Sequence, residues 1–484
     1  MMPFAATLGP RQIAGLPIAQ LVGKMPAAHN ALATKSKVQF QERRFRAWSS
    51  VGDNSRTGVA GLVAIAIALR NPQSTFVTGS TRKRSSPVRV PAFKAASSEP
   101  AGSGLRLLTL KLLLLVGGIF IMGAVPSTLS VFITQKISED PHGFSKVAAS
   151  LCQSMYFVGF SAASVVLMPR LGRFGRKKPC YVLLGIGTVA ALGSAFATTP
   201  WHYAVAMLVA GFTLPCSSQI GYLLMQESLP KRLHAFVTVF SSAGFSALVS
   251  VMALSCCFLT RTWTWRAEVL LWYAPLLLLL GLGPFFISEP GKPSEQSASG
   301  ASLQESAGLS AVMGTELRAT TIVSCLCWTA TSVGYFGLSY AAGNLSPDLY
   351  MNVVLFNMVD IVAFICAMPL VERVGASKAQ LLGFAGATAA MLLSAALPAA
   401  SVSCALVCRF CLDVCFTTVY ILIIECYRPE VRVLAIGVVN AVSRLLTFAA
   451  PLLGVAPLVL TRLVLGVLCG AAAVAMRRLQ VQPS

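Results

Sequence analysis

The chain has 484 residues, of which 55% are hydrophobic and 11% charged, with a mean hydropathy of +0.72. A soluble domain is about 45–50% apolar and about 25% charged, so a soluble enzyme built on one or two globular cores is excluded. The net charge of +21 has three possible sources, namely nucleic-acid binding, targeting or membrane orientation, and its placement along the chain decides among them.

Residues 1–100 hold 14 Lys+Arg against Glu42, Asp53 and Glu99, a net of +11. The bases cluster at Arg82, Lys83, Arg84 and Arg89. The one apolar run there, Gly58 to Leu69, is shorter than the roughly 20 residues a spanning helix needs. A leader rich in Ala, Ser and Arg and poor in acids reads equally well as an organelle transit peptide or as a disordered tail. Residues 1–104 are therefore set apart as an N-terminal extension.

From Leu105 onward, apolar stretches of spanning length recur at 110–134, 146–168, 179–198, 201–224, 236–260 and 266–287. Six more follow at 318–341, 349–371, 378–398, 402–424, 433–453 and 457–476. Runs this long and continuous satisfy their backbone in lipid only as helices. The expectation is an all-α membrane protein of twelve transmembrane helices, with a first half at 105–287, a linker at 288–317, a second half at 318–478 and a tail at 479–484. The linker carries Pro290, Pro293, a Ser/Gly/Gln run and four acids. Seventeen of the 24 bases beyond residue 100 fall on one side of the predicted spans, among them Arg170, Arg173, Arg176, Lys177 and Lys178 in a single loop. The positive-inside rule then puts both ends of the core in the cytoplasm or its equivalent. Neither share of the charge calls for nucleic acid; the implied partner is the bilayer.

Two loops echo each other. Met168-Pro-Arg-Leu-Gly-Arg-Phe-Gly-Arg-Lys-Lys178 follows the second span, and Met368-Pro-Leu-Val-Glu-Arg-Val-Gly-Ala-Ser-Lys378 follows the eighth. The shared frame is Pro, then Arg-x-Gly, then a base. A tight turn needs the glycine, and bases there pair with acids or with helix-end carbonyls. A second echo follows spans four and ten, at Glu227 to Arg232 and Glu425 to Arg432. One basic loop alone would mean only topology; duplication at matching helices points to two pseudo-symmetric six-helix halves and transport by rocking of one against the other. Gly172, Arg173, Gly175, Arg176, Lys177, Glu227, Glu372, Arg373, Gly375, Glu425 and Arg432 are the candidate conformational residues.

These motifs resemble the major facilitator superfamily, and within it the organic cation, anion and zwitterion transporters of solute carrier family 22. Gly172 to Lys178 looks like the superfamily's loop after helix two. Ser332-Val-Gly-Tyr-Phe-Gly-Leu-Ser339, with Asn344-Leu345 and Asp348-Leu-Tyr350, is similar to the seventh helix of carnitine-type members. Trp265-Arg266, Ser288-Glu-Pro290, Glu425 to Arg432 and Ser443-Arg444 through Pro451 match further blocks, over roughly residues 105–478. The resemblance implies the major facilitator fold and alternating-access transport of small organic ions. Some positions depart from it. Met168 and Gly172 stand where the superfamily has Gly and Asp, and Met207 replaces an arginine of helix four, which leaves the first-half charge network incomplete. The long loop after helix one is reduced to about ten residues, Gln135 to Ser145.

Four ionisable residues fall well inside the predicted spans: Asp360, Arg409, Asp413 and Arg444. Each is a functional-site hypothesis, because a charge at that depth costs several kcal/mol without a partner or a cavity. Arg409 and Asp413, four apart on one face, are expected to neutralise each other. Asp360 and Arg444 either pair across the cavity or hold the two ends of a zwitterion. The resemblance implies a carboxylate at Asp360 and, in anion and zwitterion carriers, an arginine at Arg444. An arginine's fork suits a carboxylate ligand, so anionic or zwitterionic substrates are favoured. Trp328, Tyr335, Phe336, Tyr340 and Tyr156 are either cavity aromatics or packing residues, while Trp201, Trp263 and Trp265 sit at span ends as an interfacial belt.

The fourteen cysteines lie in apolar runs without framework spacing and read as small buried hydrophobes, Cys408, Cys411 and Cys415 included. No histidine sits in a catalytic frame, and no metal, cofactor or covalent chemistry is expected. Asn344-Leu-Ser346 is a glycosylation sequon that matters only on the secretory route. The expected protein is a monomeric transporter in the plasma membrane, or in a plastid or mitochondrial membrane if residues 1–104 address it there, with the coupling ion (H+ or Na+) open. The alternatives are a sugar or phosphate porter of the same fold and a non-transporting, receptor-like or scaffold relative.

Overall fold

A computed structural model describes residues 102–167, 174–289, 310–346 and 348–477, all within one unit spanning Ser97–Ser484. The leader up to residue 101, Gly172, Arg173, most of the linker and the tail from residue 478 lie outside the described residues. Among the described residues there is no strand, and 11 helices are long and apolar enough to cross a membrane, or 12 counting a bent pair as one span.

That bent pair is the first span. A helix at Gly102–Lys111 passes through a π-helical turn at Leu112–Gly117 and a short helix at Gly118–Met122, then turns by 43° into α1 (Ala124–Glu139). A π-turn, Gly123 and Pro126 together supply the usual causes of a kink. The first half continues with α2 (Lys146–Val166), α3 (Lys177–Gly193), α4 (Pro200–Ser228), α5 (Lys231–Phe258) and α6 (Trp265–Phe286). The second half holds α7 (Arg318–Tyr340), α8 (Leu349–Val374), α9 (Ala376–Ala396), α10 (Ser401–Cys426), α11 (Pro429–Leu446) and α12 (Leu458–Met476).

Helix starts repeat between the halves. α2 is capped by Ser145, which accepts from the amide of Ala148, and α8 by Asp348, which accepts from that of Met351. Proline opens both α5 and α11, at Pro230 and Pro429, where its missing N–H is no loss. The duplicated loops each place a glycine at positive φ, Gly175 at 81° and Gly375 at 85°, the only such glycines among the described residues. The ψ of 156° at Gly375 completes a conformation that is essentially glycine-only. Open space surrounds the Cβ position of Gly375, so Gly375→Ala is expected to cost about 1–3 kcal/mol from backbone conformation alone. Gly437→Ala, inside α11 and equally uncrowded, is expected to stabilise by about 0.5–1 kcal/mol. Thermal unfolding in detergent reads both; equal shifts for the two would refute the conformational argument.

The halves meet along α2 against α11 and α5 against α8. Ser154 and Ser161 of α2 donate to the carbonyls of Phe448 and Ala441, each at 2.7 Å. The Tyr340 hydroxyl donates to Ser127 O of α1 at 2.6 Å. Phe157 meets Phe336 edge-on at 5.2 Å, and Phe132 stacks on Tyr350 at 6.0 Å. Within the first half, α2 and α4 touch backbone to backbone. A Cβ on Gly211 would stand 2.0 Å from Tyr156 O, and one on Gly159 would stand 2.2 Å from Leu208 O. Small residues permit that approach where lipid supplies no hydrophobic drive for helices to associate.

Candidate functional site

Three helices of the second half build a buried polar cluster. Arg409 of α10 is 2% exposed and Asp360 of α8 is 0% exposed. Arg409 Nε donates to Asp360 Oδ1 at 2.7 Å and Nη2 to Oδ2 at 2.8 Å, a bidentate pair. Nη1 serves α7, donating to Tyr335 O at 2.8 Å and Ser339 Oγ at 2.7 Å. The Tyr335 hydroxyl donates to Asp360 Oδ2 at 3.0 Å, and its ring lies 3.3 Å from the guanidinium carbon. Ser339, one turn beyond Tyr335, presents its hydroxyl on the same face of α7. Arg409, Tyr335 and Ser339 border a small cavity between the halves, closed on the other side by Thr128, Phe132 and Val249.

This arrangement corrects the expected Arg409–Asp413 pair. A helical side chain leans towards the N-terminus of its helix, so Arg409 points away from Asp413, which follows it by one turn. Base before acid is also the weaker order for an ion pair on a helix. Asp413 is 0% exposed, and neither of its carboxylate oxygens accepts a hydrogen bond. It lies beside Asp360 and Arg409. Asp360 is thus committed to Arg409, and the Asp360–Arg444 pair, one of the two alternatives for these residues, does not form.

Arg444 of α11 stands apart. It is 8% exposed, and its Nε donates to Asn440 Oδ1 on its own helix at 3.3 Å. Its guanidinium lies 4.7 Å from the ring of Phe160 in α2 and 5.9 Å from that of Phe336 in α7. Among the described residues no carboxylate stands within ion-pair distance of it. The four intramembrane ionisable residues therefore divide into a three-member cluster and an isolated cation facing the other half.

The aromatic candidates also separate. Tyr335 borders the cavity, whereas Tyr340 bonds to α1 across the halves. Trp328 is fully buried in a packing cluster with Val312, Ile423 and Val439, and Tyr420 meets it edge-on at 4.6 Å. Of the two roles open to Trp328, cavity aromatic or packing residue, its position here is that of a packing residue. Trp265 leaves the interfacial belt: it is 1% exposed, and its indole N–H donates to Asp140 Oδ2 at 2.8 Å.

At the basic end of the first half, Arg176 binds Glu227 through Nε and Nη2 at 2.9–3.1 Å. Glu289 caps the start of α3, accepting from the amides of Arg176 at 2.5 Å and Lys177 at 2.9 Å. A Cβ on Gly175 would strike that carboxylate at 2.6 Å. Arg176 thus joins Glu227 and Glu289 in the first half, Met207 of α4 is buried, and Met168 and Gly172 lie outside the described residues. Glu372, Arg373 and Glu425 are exposed, and Arg432 donates to Tyr427 O at 3.2 Å.

Two pairs at the opposite end escaped the sequence. Lys136 of α1 donates to Glu268 Oε1 at 2.7 Å and to the carbonyls of Thr260 and Trp263. Arg266 donates to Asp140 Oδ2 at 2.6 Å and to Ala197 O at 3.2 Å. The backbone amide of His142, with Trp265 and Arg266, holds the Asp140 carboxyl below the usual carboxylate range. The available signal was an acid, Glu268, one turn into an apolar span. Among the described residues no three His, Cys, Asp or Glu side chains gather as metal ligands. Ten of the fourteen cysteines are buried.

The sequence profile of the Major Facilitator Superfamily matches residues 115–451. Organic cation/carnitine transporter 2 of Mus musculus is 25% identical over 340 residues, covering 63% of this chain and 60% of that protein. An organic cation transporter-like protein of Drosophila melanogaster is 26% identical over 357 residues, covering 63% and 62%. The chain thus spans about three fifths of the length of these relatives. The xylose transporter XylE from E. coli, solved in an inward-open conformation, superposes with a TM-score of 0.59 at 14% identity, covering 78% of this chain and 96% of that one. This last likeness is one of fold.

Proposed function

This chain belongs to the Major Facilitator Superfamily, a family of membrane transporters, and from that premise we propose that it moves small organic ions bearing a carboxylate, anions or zwitterions, by alternating access of its two halves. Arg444 carries the proposal: a buried cation without a carboxylate partner among the described residues, set against Phe160 of the other half. A buried cation demands a counter-charge, and a substrate carboxylate matches the guanidinium fork. The neighbouring rings accept an apolar or quaternary-ammonium portion of the same molecule. Asp360 is not a substrate anchor on this view, since Arg409 holds both its oxygens. The similarity to organic cation/carnitine transporters supports the substrate class. The surplus of bases on one set of loops puts that end in the cytoplasm or its equivalent.

The test is uptake into proteoliposomes of L-carnitine, glutarate and tetraethylammonium. The expected result is movement of the first two. Arg444→Ala should cut it about 10- to 100-fold, the value of a charge-assisted hydrogen bond, and Arg444→Lys should cut it less. Movement of tetraethylammonium alone, or full uptake by Arg444→Ala, would overturn the assignment. No movement of any probe would overturn transport of organic ions.

A further inference from the structure

Asp413 is left unexplained by the reading above. It is fully buried in α10, and no N–H or O–H reaches either oxygen. An ionised carboxylate without donors at this depth is heavily penalised. The charged and titratable groups facing it are Asp360 of α8, Arg409 one turn earlier on α10, and Tyr335 of α7. None can relieve it. Arg409 is occupied by Asp360, Tyr335 and Ser339, and the Tyr335 hydroxyl is turned to Asp360. From α9, which packs along α10, the Gln380 side-chain oxygen accepts from the Thr418 hydroxyl and its amide nitrogen bonds to neither Asp413 oxygen; the one charged residue of α9, Lys378, is exposed. From α11, Arg444 faces Phe160 and Phe336.

The remaining neighbour of Asp413 is another carboxylate. Its carboxyl group lies beside that of Asp360, which is itself only an acceptor when ionised. Two carboxyl groups in contact need a proton between them. One guanidinium balances one carboxylate, so the three-residue cluster is neutral only when the second acid carries that proton.

We propose that Asp413 is a proton-binding site: it carries a proton directed at Asp360 while the cluster is dry, and loses it when the cluster is wetted. On loss, the O–H bond of Asp413 breaks, the proton passes to water and both electrons stay on the carboxylate, leaving the cluster with one negative charge. Arg409 and Tyr335 border the cavity between the halves, so water entering there lies one side chain away. A carboxyl group in contact with water at neutral pH is ionised. The proton is thereby the coupling ion, a conclusion that rests on the transport reading, whereas the proton site itself does not.

Infrared spectroscopy of the purified protein at neutral pH separates the two. The carbonyl stretch of a protonated, non-exchanging carboxylic acid is expected in the wild type and is lost in Asp413→Asn. Identical spectra would overturn the site. If Asp413→Asn is not recovered, 13C labelling of aspartate carboxyls in the wild type replaces it: a shifted acid band supports the site, and absence of the band refutes it. In proteoliposomes, uptake of L-carnitine or glutarate should rise with an imposed inward proton gradient, and whatever uptake Asp413→Asn retains should ignore it. Wild-type uptake indifferent to the gradient would overturn coupling even with the infrared band present. If no probe moves, the transport reading fails while the infrared result still decides the site.

Discussion

Arg409→Met is expected to destabilise the protein by about 3–5 kcal/mol, the range for breaking a buried pair by removing one partner. The loss strands Asp360 and Asp413 together without a cation and removes the donors to Tyr335 O and Ser339 Oγ. Asp360→Asn is expected to be milder, because Asp413 lies beside Arg409 and is able to ionise as a replacement partner. The double variant Arg409→Met/Asp360→Leu should melt above Arg409→Met, since apolar replacement of a whole buried pair is often neutral or better. Melting temperatures in one detergent give the order. If Asp360→Asn melts below Arg409→Met, the rescue by Asp413 is wrong.

Lys136→Met is expected to cost about 3 kcal/mol and to loosen the end of the first half where α1 meets α6. Glu268 is 0% exposed and keeps only the Thr260 hydroxyl as a donor once Lys136 is gone. The lysine side chain is 14% exposed, which holds the effect at the low end of the buried-pair range. Glu268→Gln should be the gentler change. It retains an acceptor for Lys136 and Thr260, and its new N–H group replaces an oxygen that has no partner. Proteolysis of the α5–α6 connection and melting temperature both report the difference; equal loss in the two variants would show that the ion pair contributes little.

Much of the architecture is written in the composition. Apolar runs of spanning length, a polar break near residue 290 and paired glycine turns are local signals, and α2, α5, α8 and α11 begin at a cap or proline visible in the chain. The first span is the exception: its helix runs from Gly102 and bends at Gly123, beyond both ends of the predicted 110–134. Hydropathy marks where a segment is apolar, and a helix extends past that window as long as its backbone bonds are made. Trp265 was misplaced for a related reason. Its position at a span end suits the interface, but Asp140 in another loop satisfies its indole N–H and allows it to be buried.

The sequence by itself determined the twelve spans, the two halves, the duplicated turns at Gly175 and Gly375 and the short roster of intramembrane charges, because lipid forces every backbone group into a helix and makes each buried charge conspicuous. Only the tertiary structure decided which charges meet. Spacing along α10 favoured Arg409 with Asp413, yet the lean of helical side chains sends Arg409 to Asp360 on α8. That one choice leaves Arg444 without a carboxylate partner among the described residues and Asp413 without a hydrogen-bond donor. Pairing between helices depends on depth, rotation and side-chain direction at once, and none of these is set by separation along the chain.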